Sequence, residues 1–194
     1  MNRWSLEMTN DKHQSIEKLK ELMDGIDICM LTTVDSGQLR SRPMSTQQAE
    51  FDGDLWFFTS DQTHQIDEIE KDNRVCVAYS KSSDSTYVSL SGRASVVKDP
   101  AKMEELWSPV LKAWFPEGLD DPHLCLLKVS AEQAEYWESP SGKVLQLLGF
   151  AKALATGESA EWGENTKVTL LLSKEEPDIS ASNLPTTGRY HFSS

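Results

Sequence analysis

Seven short segments of this chain alternate apolar and polar residues with a period of two, and stretches of helical period interrupt them only one at a time. No other feature limits the fold as much. Successive side chains of a strand leave on opposite faces, so a period of two marks a sheet with one face on a core. Ile26, Ile28, Met30, Thr32 and Val34 alternate with Asp27, Cys29, Leu31 and Thr33. Asp35-Ser36-Gly37 then turns the chain, and Gln38 to Ala49 runs back as a second strand. Asp52-Gly53 is a hairpin signal leading into a third strand, Leu55 to Thr59. Arg74 to Lys81 and Thr86 to Val97 form two more, and Leu124 to Val129 and Ala134 to Trp137 a last pair. Strict β-α-β alternation, the mark of a doubly wound parallel sheet, is missing. The pattern implies a mainly β fold, an antiparallel barrel with helices packed outside.

The intervening helices are expected at about Lys12 to Asp24, closed by Gly25, and from Thr63, a capping residue, to Asp72-Asn73. A third opens at Asp99-Pro100, and its stripe is Met103, Leu106, Trp107, Val110 and Leu111. Trp107 and Trp114, seven apart, would share one face of it for core or subunit packing. A fourth is expected at Ser141 to Ala155. Past Gly157 the sequence turns acidic and rich in Ser and Pro, and Leu184 to Ser194 reads as a disordered tail, with everything beyond Ser173 dispensable. This gives an N-terminal arm over 1–11, a domain over 12–157 and a partly disordered extension over 158–194.

The 31 acidic residues outnumber the 19 basic ones, for a net charge of −12. Nucleic acid and anionic membranes are thereby excluded as expected partners, because both demand a basic footprint. No apolar run approaches the ~20 residues of a membrane span and the first residues are not those of a signal peptide, so the expected location is cytoplasmic. Cys29, Cys76 and Cys125 are far apart, each in an apolar run, and read as buried reduced thiols. The four histidines are scattered without metal-ligand spacing, so no metal is expected.

Two segments carry the chemistry. In Arg40-Ser41-Arg42-Pro43-Met44 the two arginines leave a strand on one face with Met44, while Leu39 and Ser41 leave on the other. Two adjacent guanidiniums repel unless an anion lies between them, which points either to an anion site or to a solvated face paired with surface carboxylates. Pro43 removes a backbone donor, as at an edge strand. In Phe57-Phe58-Thr59-Ser60, a strand ends in hydroxyls and opens into the helix at Thr63, with His64 and Gln65 in its first turn. A helix N-terminus offers free N–H groups and a positive dipole end to a phosphate, although ordinary N-capping has the same signature.

RSRPM, LWFFTS, THQIDEI, YVSLSGRA, ELWSPVLKAWFPEGLDDP and YWESPSGKVLQLLGFAKALATG, taken in order over about 12–157, resemble the pyridoxamine phosphate oxidase-like FMN-binding split-barrel proteins, most closely the general stress protein branch. The resemblance implies a six-stranded antiparallel split barrel, a homodimer and FMN at the subunit interface. It implies phosphate and ribityl contacts from Arg40, Arg42, Thr59 and Ser60. Ser41, Pro43 and Met44 would lie along the isoalloxazine, and Phe58 and Trp107 would line the site. His64-Gln65 stands where the family usually has a basic residue, and Gln65 keeps a donor without the charge. Pyridoxamine phosphate oxidases proper carry an Arg/His-rich C-terminal segment. The counterpart here, SPSGKVLQLLGFAKAL, has no such cluster, and Arg189 and His191 fall in the tail, so vitamin B6 oxidation is not expected. The expectation is a flavin-dependent oxidoreductase of general stress type, with a nicotinamide electron donor. The alternatives are a non-catalytic flavin-binding or sensing module, or a split barrel using deazaflavin or haem. No catalytic acid or base is singled out.

Overall fold

A computed structural model describes residues 3–47, 51–138 and 164–170 of the chain. Helix α1, Arg3–Met23, begins earlier than its apolar stripe suggests, and it lays Leu19, Leu22 and Met23 into the core. Gly25 follows at φ 72°, the left-handed geometry that a glycine tolerates after a helix. Strands β1, Ile28–Asp35, and β2, Gln38–Ser45, are joined by Ser36 and Gly37 at φ 51° and 82°. Two positive φ values in a two-residue loop fit the right-handed twist of the strands it joins. Then come β3, Asp54–Ser60, α2, His64–Lys71, β4, Arg74–Lys81, and β5, Thr86–Val97. Helix α3, Pro100–Leu106, and two short 3₁₀ turns precede β6, Leu124–Glu138. The last strand is β7, Glu164–Thr169.

All pairs are antiparallel, in the order β2-β1-β4-β5-β6-β3, with β7 also paired to β6. The inward faces of β1, β3, β4, β5 and β6 meet α1 and α2 in one core that includes Leu31, Phe57, Tyr79 and Leu127. This is the expected antiparallel sheet rolled around a core, with seven strands among the described residues where six were expected.

Four expectations are corrected. Asp52-Gly53 does not make a β2–β3 hairpin. Gly53, at φ 112°, turns the chain into β3, but β2 and β3 lie at opposite ends of the strand order. The last strand pair is one continuous strand, β6, because the polar Glu132 is absorbed in a bulge where Ser91 faces Gln133 and Gly92 faces Ala131. At that bulge the backbones come so close that a Cβ on Gly92 would sit 2.1 Å from the Ser130 carbonyl oxygen. Helix α3 stops at Leu106, because Pro109 disfavours helical geometry at Ser108. Trp107 and Trp114 therefore share no helix face: Trp107 packs inward while Trp114 is exposed. Cys29 and Cys125 are buried free thiols as expected, whereas Cys76 is only half-buried.

The extension contributes β7, and Leu170 beyond it reaches the main core. The helix expected at Ser141 to Ala155, and the tail from Leu184 to Ser194 with Arg189 and His191, lie outside the described residues.

Candidate functional site

The β1–β2 hairpin and the first turns of α2 build one cleft. Thr33 faces Arg40 and Leu31 faces Arg42 across the hairpin, and both β1 residues are fully buried. Both arginines therefore leave β2 on the core side, as the strand parity predicts. Helix α2 crosses there, and its i, i+4 spacing sets His64 and Glu68 on one face. Asp35, Arg40, Arg42, Thr63, His64, Gln65 and Glu68 line a cleft of about 440 Å³.

Each arginine holds its own carboxylate. Arg42 Nη2 donates to Glu68 Oε2 at 2.6 Å, and Arg40 Nε donates to Asp35 Oδ2 at 2.7 Å. Thr33 Oγ1 donates to the same Glu68 oxygen. The two guanidiniums thus do not depend on an outside anion to sit together, because β1 and α2 supply internal ones. Burial pushes the Glu68 carboxyl up, but the hydrogen bonds from Thr33 and Arg42 outweigh it and hold the group below its ordinary range. The hydrogen bond from Arg40 does the same for Asp35. His64 Nε2 lies 3.7 Å from both Asp35 Oδ2 and Glu68 Oε1.

Satisfaction is incomplete. Arg42 Nη1, Gln65 Nε2 and Glu68 Oε1 are buried without a hydrogen-bond partner. Gln65 is only 6% exposed, so water does not relieve its amide. A buried polar group left unmade costs about 1–3 kcal/mol, which a ligand of matching chemistry recovers. Thr63 does not cap α2 as expected. Its hydroxyl donates to the Ser60 carbonyl at 2.9 Å, so no side chain occupies the N–H groups of the first turn.

The cleft gathers Arg40, Arg42, His64 and Gln65 of the residues expected from sequence. Met44 shares their face of β2 but is packed against the core opposite Cys29. Thr59 is buried, and Ser60 forms the turn into α2, with Oγ accepting from the Gln62 amide; neither lines the cleft. Ser41 and Pro43 are on the outer face of β2, Ser41 Oγ lying 2.6 Å from Thr32 Oγ1. Phe58 and Trp107 are elsewhere: their rings meet edge to face at 5.4 Å, in a second core with Met103, Leu111, Leu124 and Leu126. Phe57 faces the main core, so its neighbour Phe58 leaves β3 on the other side, toward this second cluster. Asp35 and Glu68 were missed in the sequence. The i, i+4 pair His64 and Glu68 was the one local signal for Glu68, whereas Asp35 reaches the cleft only through the hairpin.

The family model described as pyridoxamine 5'-phosphate oxidase like matches residues 14–161. The chain belongs to the pyridoxamine 5'-phosphate oxidase-like family. Within it, Protein bli-3 of Neurospora crassa is 30% identical over 158 residues, 76% of this chain and 76% of the relative. A protein of the general stress protein 26 type from Jannaschia sp. CCS1 superposes with a TM-score of 0.65, at 28% identity, over 81% of this chain and 99% of that one. The general stress FMN/FAD binding protein of Xanthomonas citri is 31% identical, with a TM-score of 0.58, over 67% of this chain and 92% of that one. The split-barrel fold and the general stress resemblance read from sequence are both borne out. Among the described residues, no helix is long and apolar enough to cross a membrane.

Proposed function

We propose that the cleft binds FMN through its phosphate, in a homodimer, and that the protein is a flavin-dependent oxidoreductase of the general stress type. One observation carries this. Two residues that line the cleft, Arg42 and Gln65, each carry a buried donor without an acceptor, Nη1 and Nε2, and a phosphate ester is rich in acceptors and poor in donors. The name of the Xanthomonas citri relative, an FMN/FAD binding protein, supports the flavin. In this reading Arg42 and Gln65 hold the phosphate, with Arg40 and Thr63 at the lip. The ring system would meet the backbone edge of β2 left free among the described residues, at Ser41, Pro43 and Met44, and Thr59 and Ser60 brace the turn into α2. When bound, the flavin supplies the electron transfer, and the chain supplies binding and orientation. Asp35 and Glu68, both held ionised, are no proton donors near neutral pH. That favours a flavin that works without a protein acid, or one that is bound and not turned over.

A second copy belongs on the outer face of β2, β1, β4 and β5. Leu39, Ser41 and Pro43 lie there beside Ile28, Met30 and Thr32, with Cys76, Ala78, Tyr87 and Ser89 continuing the surface. These residues carry no charge in a chain whose net charge is −12, and the charges on the same face, Arg74 and Arg93, stand at its far end, paired with Asp72 and Glu132. Two like-charged copies associate most readily through such a face.

The test is titration of flavin-free protein with FMN and riboflavin, followed by flavin fluorescence quenching. FMN is expected to bind at least about tenfold more tightly, since each charge-assisted bond to the phosphate contributes about 1.5–3 kcal/mol. Equal binding of the two refutes the phosphate site. Anaerobic mixing with NADH and NADPH then separates the roles. Bleaching of the bound flavin supports the oxidoreductase, and an inert bound flavin assigns a non-catalytic module. A deazaflavin or haem spectrum in the purified protein overturns FMN itself.

A further inference from the structure

We propose that Asp35, His64 and Glu68 form a site for one divalent transition-metal ion, Zn2+ in the first place. One ligand atom from each lies within 4.8 Å of the others, and His64 Nε2 is 3.7 Å from a carboxylate oxygen of both Asp35 and Glu68. Around a tetrahedral Zn2+ with bonds of about 2.0–2.2 Å the ligand atoms stand roughly 3.3–3.6 Å apart. Small rotations of the exposed His64 and of Asp35 close the difference.

An acidic pair beside a histidine is common on protein surfaces, and the case rests on what surrounds this one. The Glu68 side chain is 1% exposed, and its Oε1 has no hydrogen-bond donor. Arg42 does not grip the carboxylate with both nitrogens: Nη2 takes Oε2, while Nη1 and Oε1 are both left unpaired. Thr33 joins Arg42 on Oε2 and leaves Oε1 beside His64 Nε2, at 3.7 Å. An ionised, buried oxygen without a donor is a group that a cation satisfies.

Outer partners also stand beside the ligands, as in metal centres whose ligands are oriented by a second layer. Thr33 and Arg42 fix Glu68 through its other oxygen, Oε2. Asp67 Oδ2 lies 3.6 Å from His64 Nδ1 while Nε2 faces the cluster. Asp35 Oδ2, the oxygen nearest His64, also accepts from Arg40 Nε, and Ser36 Oγ donates to Oδ1. One imidazole and two carboxylates suit Zn2+ and its transition-metal neighbours better than Mg2+, which favours an all-oxygen octahedron.

Arg40 and Arg42 oppose a cation, which sets the affinity in the micromolar range rather than the nanomolar one. Their positive charges are already cancelled by Asp35 and Glu68, so the cleft offers no net charge to a dianion. A bound Zn2+ raises the total to +2 and leaves a coordination position for an anionic oxygen. That consequence rests on the FMN reading; the metal site itself does not. Sequence spacing gives no hint of it, because Asp35 arrives from a different element.

Calorimetric titration of the full chain, stripped of metal and flavin, with Zn2+ at pH 7.5 decides the matter. The expected result is one Zn2+ per chain with a Kd on the order of micromolar. His64→Ala, at an exposed position that does not endanger folding, and Glu68→Gln should each weaken it by at least about tenfold. His123→Ala, outside the cleft, should titrate like the parent, and Mg2+ should not bind under the same conditions. Absence of stoichiometric Zn2+ uptake, or a His64→Ala protein that binds like the parent, overturns the assignment. The same samples titrated with FMN keep the two readings apart. Zn2+ without FMN sinks only the flavin, and FMN without Zn2+ sinks only the metal.

Discussion

Replacing Arg42 by alanine separates two roles that the sequence merges. Read from sequence, Arg42 is one of two like charges, and its loss should leave ligand-free stability level or slightly raised. The structure reverses that expectation. Arg42 Nη2 lies 2.6 Å from Glu68 Oε2, and the Glu68 side chain is 1% exposed against 23% for Arg42. Removing the guanidinium leaves a buried carboxylate with Thr33 as its remaining donor. Breaking a buried ion pair from one side costs about 3–5 kcal/mol, and the partial exposure of Arg42 places this case at about 3. For a chain of this size that lowers Tm by about 6–12 °C. Glu68 is held below its ordinary 4.5 in the folded protein, so the pair stabilises the fold above that pH, and the contribution fades as pH falls through the lowered folded value. The gap between parent and Arg42→Ala should therefore be full at neutral pH and narrow progressively as pH falls below 4.5. Urea unfolding of the ligand-free proteins at both pH values is the assay, with Arg42→Met/Glu68→Leu as the companion. Replacing both charges should recover most of the loss. A gap that is absent at pH 7, or one that does not narrow as pH falls below 4.5, or a double variant as unstable as the sum of the singles, refutes the reasoning. Separately, FMN affinity of Arg42→Ala should drop by one to two decades, from about 1.5–3 kcal/mol of charge-assisted bonding.

Gln65→Lys should tighten FMN binding and steepen its salt dependence, since it adds a positive charge beside Arg42; salt titration of the Kd checks this. Met30→Asp, on the uncharged face, should give a monomer in sedimentation at micromolar concentration with the barrel intact; a persistent dimer would move the interface elsewhere. Gly92→Ala should cost about 3 kcal/mol in chemical unfolding, because its Cβ would meet the Ser130 carbonyl at 2.1 Å and neither backbone can move freely.

Much of the fold is legible in local pattern. The β1–β2 hairpin follows from alternation on both sides of Ser36-Gly37, and β4 and β5 from theirs. The common face of Arg40 and Arg42 follows from parity alone. Partner choice between distant strands is what local pattern lacks. Gly53 fixes a change of direction but does not say that β3 pairs with β6, 76 residues away in the register Asp54 with Ser130. The same gap hides Asp35 and Glu68, which reach the arginines through the hairpin and through the packing of α2. Phe58 and Trp107 lie outside the cleft for a different reason. Phe57 faces the main core, so parity sends Phe58 to the other side of β3, where Trp107 meets it.

Strand β6 has one continuous neighbour, β5, while its other edge is shared: β3 covers Leu124 to Ser130, and β7 covers Gln133 to Glu138. Without β7 the second half of that edge would offer a row of free amides and carbonyls to any passing strand, and Leu170 would no longer fill its place in the core. A version trimmed before β7 would thus be expected both to melt earlier and to precipitate by edge-to-edge pairing, whereas trimming beyond Ser173 leaves that edge covered.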